Sequence, residues 1–184
     1  MKLRPPTKYT MPTNEADQYV CYGVDVTPEQ ARHIFAMTPS VDNTNILHHV
    51  LLFESPKAFS PTPTPCSSGG SIDWRIVYGW APGGTSIVLP PEAGMPLSGT
   101  THYDVQLHYN NVRALADEQD GSGFDLCSTT QLRANDADVI AFGTNHISLP
   151  PSSRRTVAPG SPGCFGTTSR IATTVSAKIA ATAR

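Results

Sequence analysis

Apolar and polar positions alternate in short runs along most of this 184-residue chain, and proline (17) and glycine (14) cut those runs apart. Six segments carry the pattern: QYVCYGVDV (18–26), NILHHVLLF (45–53), WRIVYGW (74–80), THYDVQLHY (101–109), GFDLCSTTQL (123–132) and VIAFGTNHISL (139–149). Each is rich in Val, Ile, Tyr, Phe and Thr and is bounded by Gly, Pro, Asn or Asp, which predicts the strands of an antiparallel sandwich or barrel. Two short pieces read as helix candidates: TPEQARHIF (27–35), with Thr27 as cap and Pro28 next and a loop carrying a single turn as the equal alternative, and NNVRALADEQ (110–119). SPKAFSPTPTPCSSGG (55–70) reads as a surface loop, and residues 82–99 as another long irregular connection. From about residue 151 the pattern fades into a linker-like PPSSRRTVAPGSPG. The weakly amphipathic tail that follows places Ile171, Val175 and Ile179 four residues apart. The expected organisation is a short extension over 1–16, an all-β domain over 17–151, and a poorly structured linker and tail over 152–184.

Composition narrows the function classes. A net charge of −2 with scattered basic residues gives no electrostatic case for nucleic acid or an anionic membrane. No run approaches the eighteen or so apolar residues that span a bilayer. The opening MKLRPPTKYTMP has no apolar core, so a signal peptide is not predicted. Four cysteines (Cys21, Cys66, Cys127, Cys164) lack zinc-like spacing and allow three full pairings among which sequence cannot choose. No GxSxG or placed Ser/His/Asp set supports hydrolase chemistry.

The histidines carry the chemical question. His48 and His49 are adjacent inside the apolar run NILHHVLLF, where burial without partners is costly. In a regular strand they point to opposite faces, so both can serve one centre only if the strand ends, twists or bulges there. Otherwise one packs in the core and the other faces solvent. In HYDVQLHY, alternation puts His102, Asp104, Gln106 and His108 on one face. His102 and His108 are separated by roughly 20 Å along a strand, so only one can join the pair. Three imidazoles with neither carboxylate nor thiolate suit copper or zinc. His146 reads as a surface or hydrogen-bonded residue, and His33 has no evident metal partner. DEQDGSGFD (117–125) clusters acids with glycines but lacks the spacing of a calcium loop and reads as a turn.

Four stretches, in order, resemble the N-terminal domain of the copper type II, ascorbate-dependent monooxygenases. They are YVCYGV (19–24), LHHVLLF (47–53), VYGWAPGGTSIVLPPEAGMPL (77–97), and VQLHYNN with DGSGFDLCSTTQLR (105–111, 120–133); a closing ISLPP (147–151) resembles the strand end before the family's second domain. The resemblance implies an eight-stranded antiparallel jelly-roll sandwich and a copper ion on His48, His49 and His108 that relays electrons from ascorbate. It places Gln106 beside that centre, with an ordinary outward-facing polar residue as the alternative. It implies C–H hydroxylation of a small or peptide-like substrate in an extracytoplasmic or secreted setting. The family's second copper, held by an HxH pair and a methionine, has no counterpart after His146 and Met95, so a separate domain is expected to supply it. The rival expectation is a non-catalytic copper-binding or structural β-sandwich. The resemblance also bears on Cys21. A family member pairs the cysteine resembling Cys21 with one at the position of Gly121; here Cys127 is the nearest replacement, so a Cys21–Cys127 disulfide is expected.

Overall fold

The computed structural model describes residues 1–139, and every regular element in that range is a strand. The longer ones are β1 (Asp17–Val26), β2 (Arg32–Ser40), β3 (Leu47–Ser55), β4 (Arg75–Trp80), β5 (Ala93–Leu97), β6 (Thr101–Asn110) and β7 (Gly123–Thr129). One sheet runs Lys2–Leu3, β7, β2, β5 and Asn135–Asp136, with Ile87–Val88 also on β2. A second runs Thr64–Pro65, β1, β6, β3, β4, and a separate two-stranded ladder joins Tyr9–Thr10 to Gln119–Asp120. Pairing is antiparallel except between Asn135–Asp136 and β5. The expected antiparallel sandwich-like, all-β fold is therefore present.

Period-2 alternation explains the core. Val20 and Tyr22 on β1, Val50 and Leu52 on β3, and Val105, Leu107 and Tyr109 on β6 point inward. They meet Ile34, Met37, Met95, Leu97, Phe124 and Leu126 from the facing sheet. Residues 1–16 pack onto this domain: Lys2–Leu3 pairs with β7, and Leu3 and Met11 are buried.

Neither expected helix forms. HIFAM (33–37) hydrogen-bonds on both edges, to β7 and β5, and those ladders outweigh a piece too short to nucleate helix well. Residues 110–119 fold into a turn: the Asn111 amide brackets the Leu115 N–H and C=O, and Ala114 and Asp117 take positive φ of 48° and 59°. The stretch 82–99 is less irregular than expected, because β5 and Ile87–Val88 pair with β2. The strand expected over 139–149, ISLPP, His146, Cys164 and the tail pattern lie outside the described residues.

The outer face of the β1–β6–β3 sheet is covered by the loop 56–74. Gly23 permits this close approach, since a Cβ there would lie 2.6 Å from the Phe59 carbonyl oxygen. The Gly23 N–H donates to Ser60 O at 2.7 Å. Trp74 packs between Phe53 and Phe59 over the same face, tilted against the first and edge-on to the second, with centroids 5.6 Å apart in each pair. A Cys21–Cys66 disulfide staples the loop down, linking residues 45 positions apart. This corrects the expected Cys21–Cys127 bridge. Cys21 lies under the loop on the second sheet, whereas Cys127 belongs to the first sheet and is an exposed free thiol; side chains so placed cannot be bridged.

Candidate metal centre

His49 on β3 lies directly across the ladder from His108 on β6, and the next ladder pair is Leu47 with Tyr109. His48 is thus the extra residue of a β-bulge, two residues facing one. The bulge turns His48 to the same face as its neighbour, and that is how two adjacent histidines reach one centre. Among the described residues, His48, His49 and His108 are the group whose ligand atoms converge.

Their Nδ1 atoms form a near-equilateral triangle: 3.2 Å from His48 to His49, 3.1 Å from His48 to His108, and 3.2 Å from His49 to His108. Each Nδ1 of a neutral imidazole is either a donor or an acceptor. Three mutually adjacent nitrogens cannot alternate donor and acceptor around a triangle, so direct hydrogen bonds never satisfy all three pairs. A shared cation does. The centre of such a triangle lies about 1.8 Å from each nitrogen, just inside the ~2.0–2.1 Å of a metal–imidazole bond. The donor set therefore fits a small, imidazole-preferring ion such as copper or zinc.

The surroundings prepare the nitrogens for that task. Burial, then the neighbouring His108 and His48, pull the His49 pKa down to about 4, so its ring is neutral near pH 7. His108 is only 12% exposed at its side chain, and its Nε2 bonds the Asp17 carboxylate. That fixes the proton on Nε2 and leaves the Nδ1 lone pair for the centre. Tyr19 stacks on the His108 ring, centroids 4.1 Å apart and planes 1° from parallel. His48 is exposed, giving the centre one open side.

Sequence reasoning did not single out Asp17 or Tyr19. The signal was available in register: Tyr19 faces His108 and Asp17 faces Asn110, so alternation back from Cys21 places both beside the ligand strand.

The other residues singled out from sequence separate cleanly. Gln106 is fully buried on the ligand face, where it accepts from Gly69 N–H (3.2 Å) and donates to Ser67 O (2.8 Å). Its amide also lies 3.7 Å from Cys21 Sγ and 3.9 Å from Cys66 Sγ, so it fastens the loop beside the disulfide. His102 pairs with Asp25 at 2.7 Å, away from the triangle. His33 accepts from Arg133 N–H at 3.0 Å and contacts Asp136 at 3.2 Å, pinning the 131–136 segment. In the acidic turn at 117–125, the buried Asp120 carboxylate is occupied by donors from inside and outside the turn. Asp120 accepts from Asn43 N–H, Ser122 Oγ, Ser122 N–H and Tyr109 Oη, which leaves no oxygen free for calcium.

Residues 5–116 match the family described as copper type II ascorbate-dependent monooxygenase, N-terminal domain. The chain belongs to that family. Within it, dopamine beta-hydroxylase of Rattus norvegicus is 29% identical over 177 residues, covering 87% of this chain and 28% of that protein. Tyramine beta-hydroxylase of Caenorhabditis briggsae is 28% identical over 142 residues, 70% of this chain and 24% of the relative. Peptidyl-glycine alpha-amidating monooxygenase A of Xenopus laevis is 27% identical over 146 residues, 74% of this chain and 15% of the relative. The chain thus spans less than a third of these monooxygenases.

Proposed function

We propose that His48, His49 and His108 hold one copper ion, and that this domain relays electrons for a monooxygenase reaction completed at a second copper site on another domain. The observation that carries the reading is the Nδ1 triangle, whose three pairs direct hydrogen bonds cannot satisfy and one ion can. Copper bound there would supply one-electron redox cycling, with ascorbate as external reductant. The protein's own part is to keep three imidazoles converged, to lock the His108 tautomer through Asp17, and to leave the His48 side open to an electron donor or acceptor. The substrate class follows from the relatives' names, an amine or a peptide bearing a C–H bond to be hydroxylated. The Cys21–Cys66 disulfide favours an extracytoplasmic or secreted location, where disulfides persist. No helix among the described residues is long and apolar enough to cross a membrane.

The test is the Cu(II) electron paramagnetic resonance signal of the loaded chain under anaerobic ascorbate. Reversible loss of the signal, restored by an oxidant, fits the relay. Copper that stays bound yet refuses reduction would instead favour the non-catalytic copper-binding sandwich. Hydroxylation of a phenylethylamine or a glycine-extended peptide is expected only when a second copper domain is added.

A further inference from the structure

We infer that Asp17 is a positioning residue for the three-histidine centre, one that selects the His108 ring orientation and biases the site toward the oxidised ion. The inference rests on the copper reading above and extends it to a residue outside the ligand set. Asp17 is the first residue of β1, whose neighbour in the sheet is the ligand strand β6. Its carboxylate accepts from His108 Nε2, on the side of the ring away from the triangle.

Two contacts divide the work of holding that ring. Tyr19, stacked within 1° of parallel, fixes the plane of the imidazole but is indifferent to a half-turn about Cβ–Cγ. The half-turn would exchange Nδ1 with Cδ2 and present carbon to His48 and His49. It would also move Nε2 off Asp17. The Asp17 hydrogen bond therefore decides between two ring orientations that stacking alone leaves equal. By holding the Nε2 proton it also decides the tautomer, leaving Nδ1 as a lone-pair donor. A carboxylate on the far nitrogen makes the imidazole a stronger, more negative donor, and that favours Cu(II) over Cu(I).

A merely structural surface pair would leave the metal properties unmoved. Asp17 is 61% exposed at its side chain, and exposed pairs contribute little to stability. The melting temperature is therefore expected to stay put in Asp17 variants while the metal properties move.

The experiment compares wild type with Asp17→Ala, Asp17→Asn and Asp17→Glu by three measurements. These are nitrogen-15 NMR of the histidine rings in the metal-free protein, competition titration with Cu(II), and competition titration with Cu(I). Wild type is expected to show His108 as the Nε2–H tautomer. Asp17→Ala is expected to mix tautomers and lose about 10- to 100-fold in Cu(II) affinity, the usual cost of removing such a partner. Cu(I) affinity should fall less. Each tenfold preferential loss of Cu(II) raises the one-electron potential by about 59 mV. Asp17→Asn keeps an acceptor oxygen without the charge, so it should keep the tautomer while the potential still rises. Asp17→Glu should restore part of both. Unchanged tautomer and unchanged affinities for both ions in all three variants would overturn the inference. Wild type that retains no copper would instead overturn the copper reading itself.

Discussion

His49 faces His108 across the β3–β6 ladder, and His48 is the residue inserted between that pair and the next one, Leu47 with Tyr109. The bulge converts an ordinary alternating strand into one that delivers two consecutive side chains to one face. A regular strand would send His48 toward the core, beside Val50 and Leu52.

If the proposed copper site is right, His48 serves the centre and not the fold. His48→Ala is expected to change folding stability by no more than about 0.5 kcal/mol, the usual range for an exposed position. Copper affinity should drop at least tenfold. Urea unfolding and a chelator competition, run on the same preparation, check both halves.

Asp104 makes an opposite prediction, for stability alone. It lies on the outer face of β6 between Gly23 and Phe53, beneath the 56–74 loop, and is fully buried. Neither carboxyl oxygen has a well-formed hydrogen bond among the described residues, since the nearby Ser55 Oγ donates to Lys57 O instead. Burial pushes its pKa up, with Asp25 and Asp73 adding to the shift and Ser55 and His102 opposing it. The native carboxyl therefore keeps its proton to higher pH than the unfolded chain does. As pH rises above the unfolded value the unfolded state ionises first, and stability falls until the native group ionises too. Asp104→Asn should remove that fall, so its stability relative to wild type should rise as pH increases from 4 toward 7. Denaturation midpoints between pH 4 and 8 test this; curves that stay parallel across the range would show that Asp104 has a partner.

The disulfide assignment predicts a contrast between cysteines. Closing a loop whose ends are 45 positions apart is worth about 4 kcal/mol in the chain-entropy model, with 2–4 kcal/mol typical in practice. Cys66→Ser should lose stability on that scale and expose one additional reactive thiol. Cys127→Ser should lose less than about 0.5 kcal/mol, because its side chain is exposed and unpaired. A large loss for Cys127 would restore the rejected pairing.

Asp120 holds the approach to the bulge. Its oxygens take the Asn43 and Ser122 backbone N–H groups together with Tyr109 Oη, all at a fully buried position. Asp120→Ala strands those donors at about 1–3 kcal/mol for each one left unmet. The expected loss exceeds 3 kcal/mol, a large part of a small domain's stability, and thermal unfolding of the variant measures it.

Much of this was legible in the chain. Alternation located β1, β3, β4, β6 and β7 within a few residues, because one face of each strand is core and the other is not. The rule that His102 and His108 cannot share an ion left one of them to join the adjacent pair, and the fold brings His108 to His48 and His49. The short segments were misread for a physical reason. HIFAM carries no strand-like alternation, since both of its edges are paired and most of its side chains are covered; AGMPL contains a proline that sheet interiors usually reject. The Cys21 partner and Asp17 were hidden for another reason. Both depend on long-range register, a loop folding back over β1 and a strand neighbour ninety-one positions away in the case of Asp17 and His108.

The most direct test of the central claim is copper content per chain after Cu(II) loading and desalting, in wild type and in His108→Ala. The account predicts one retained copper in wild type and its loss in the variant. No retained copper, or copper indifferent to His108, would contradict it, and the histidine triangle would then be only a feature of the sandwich surface.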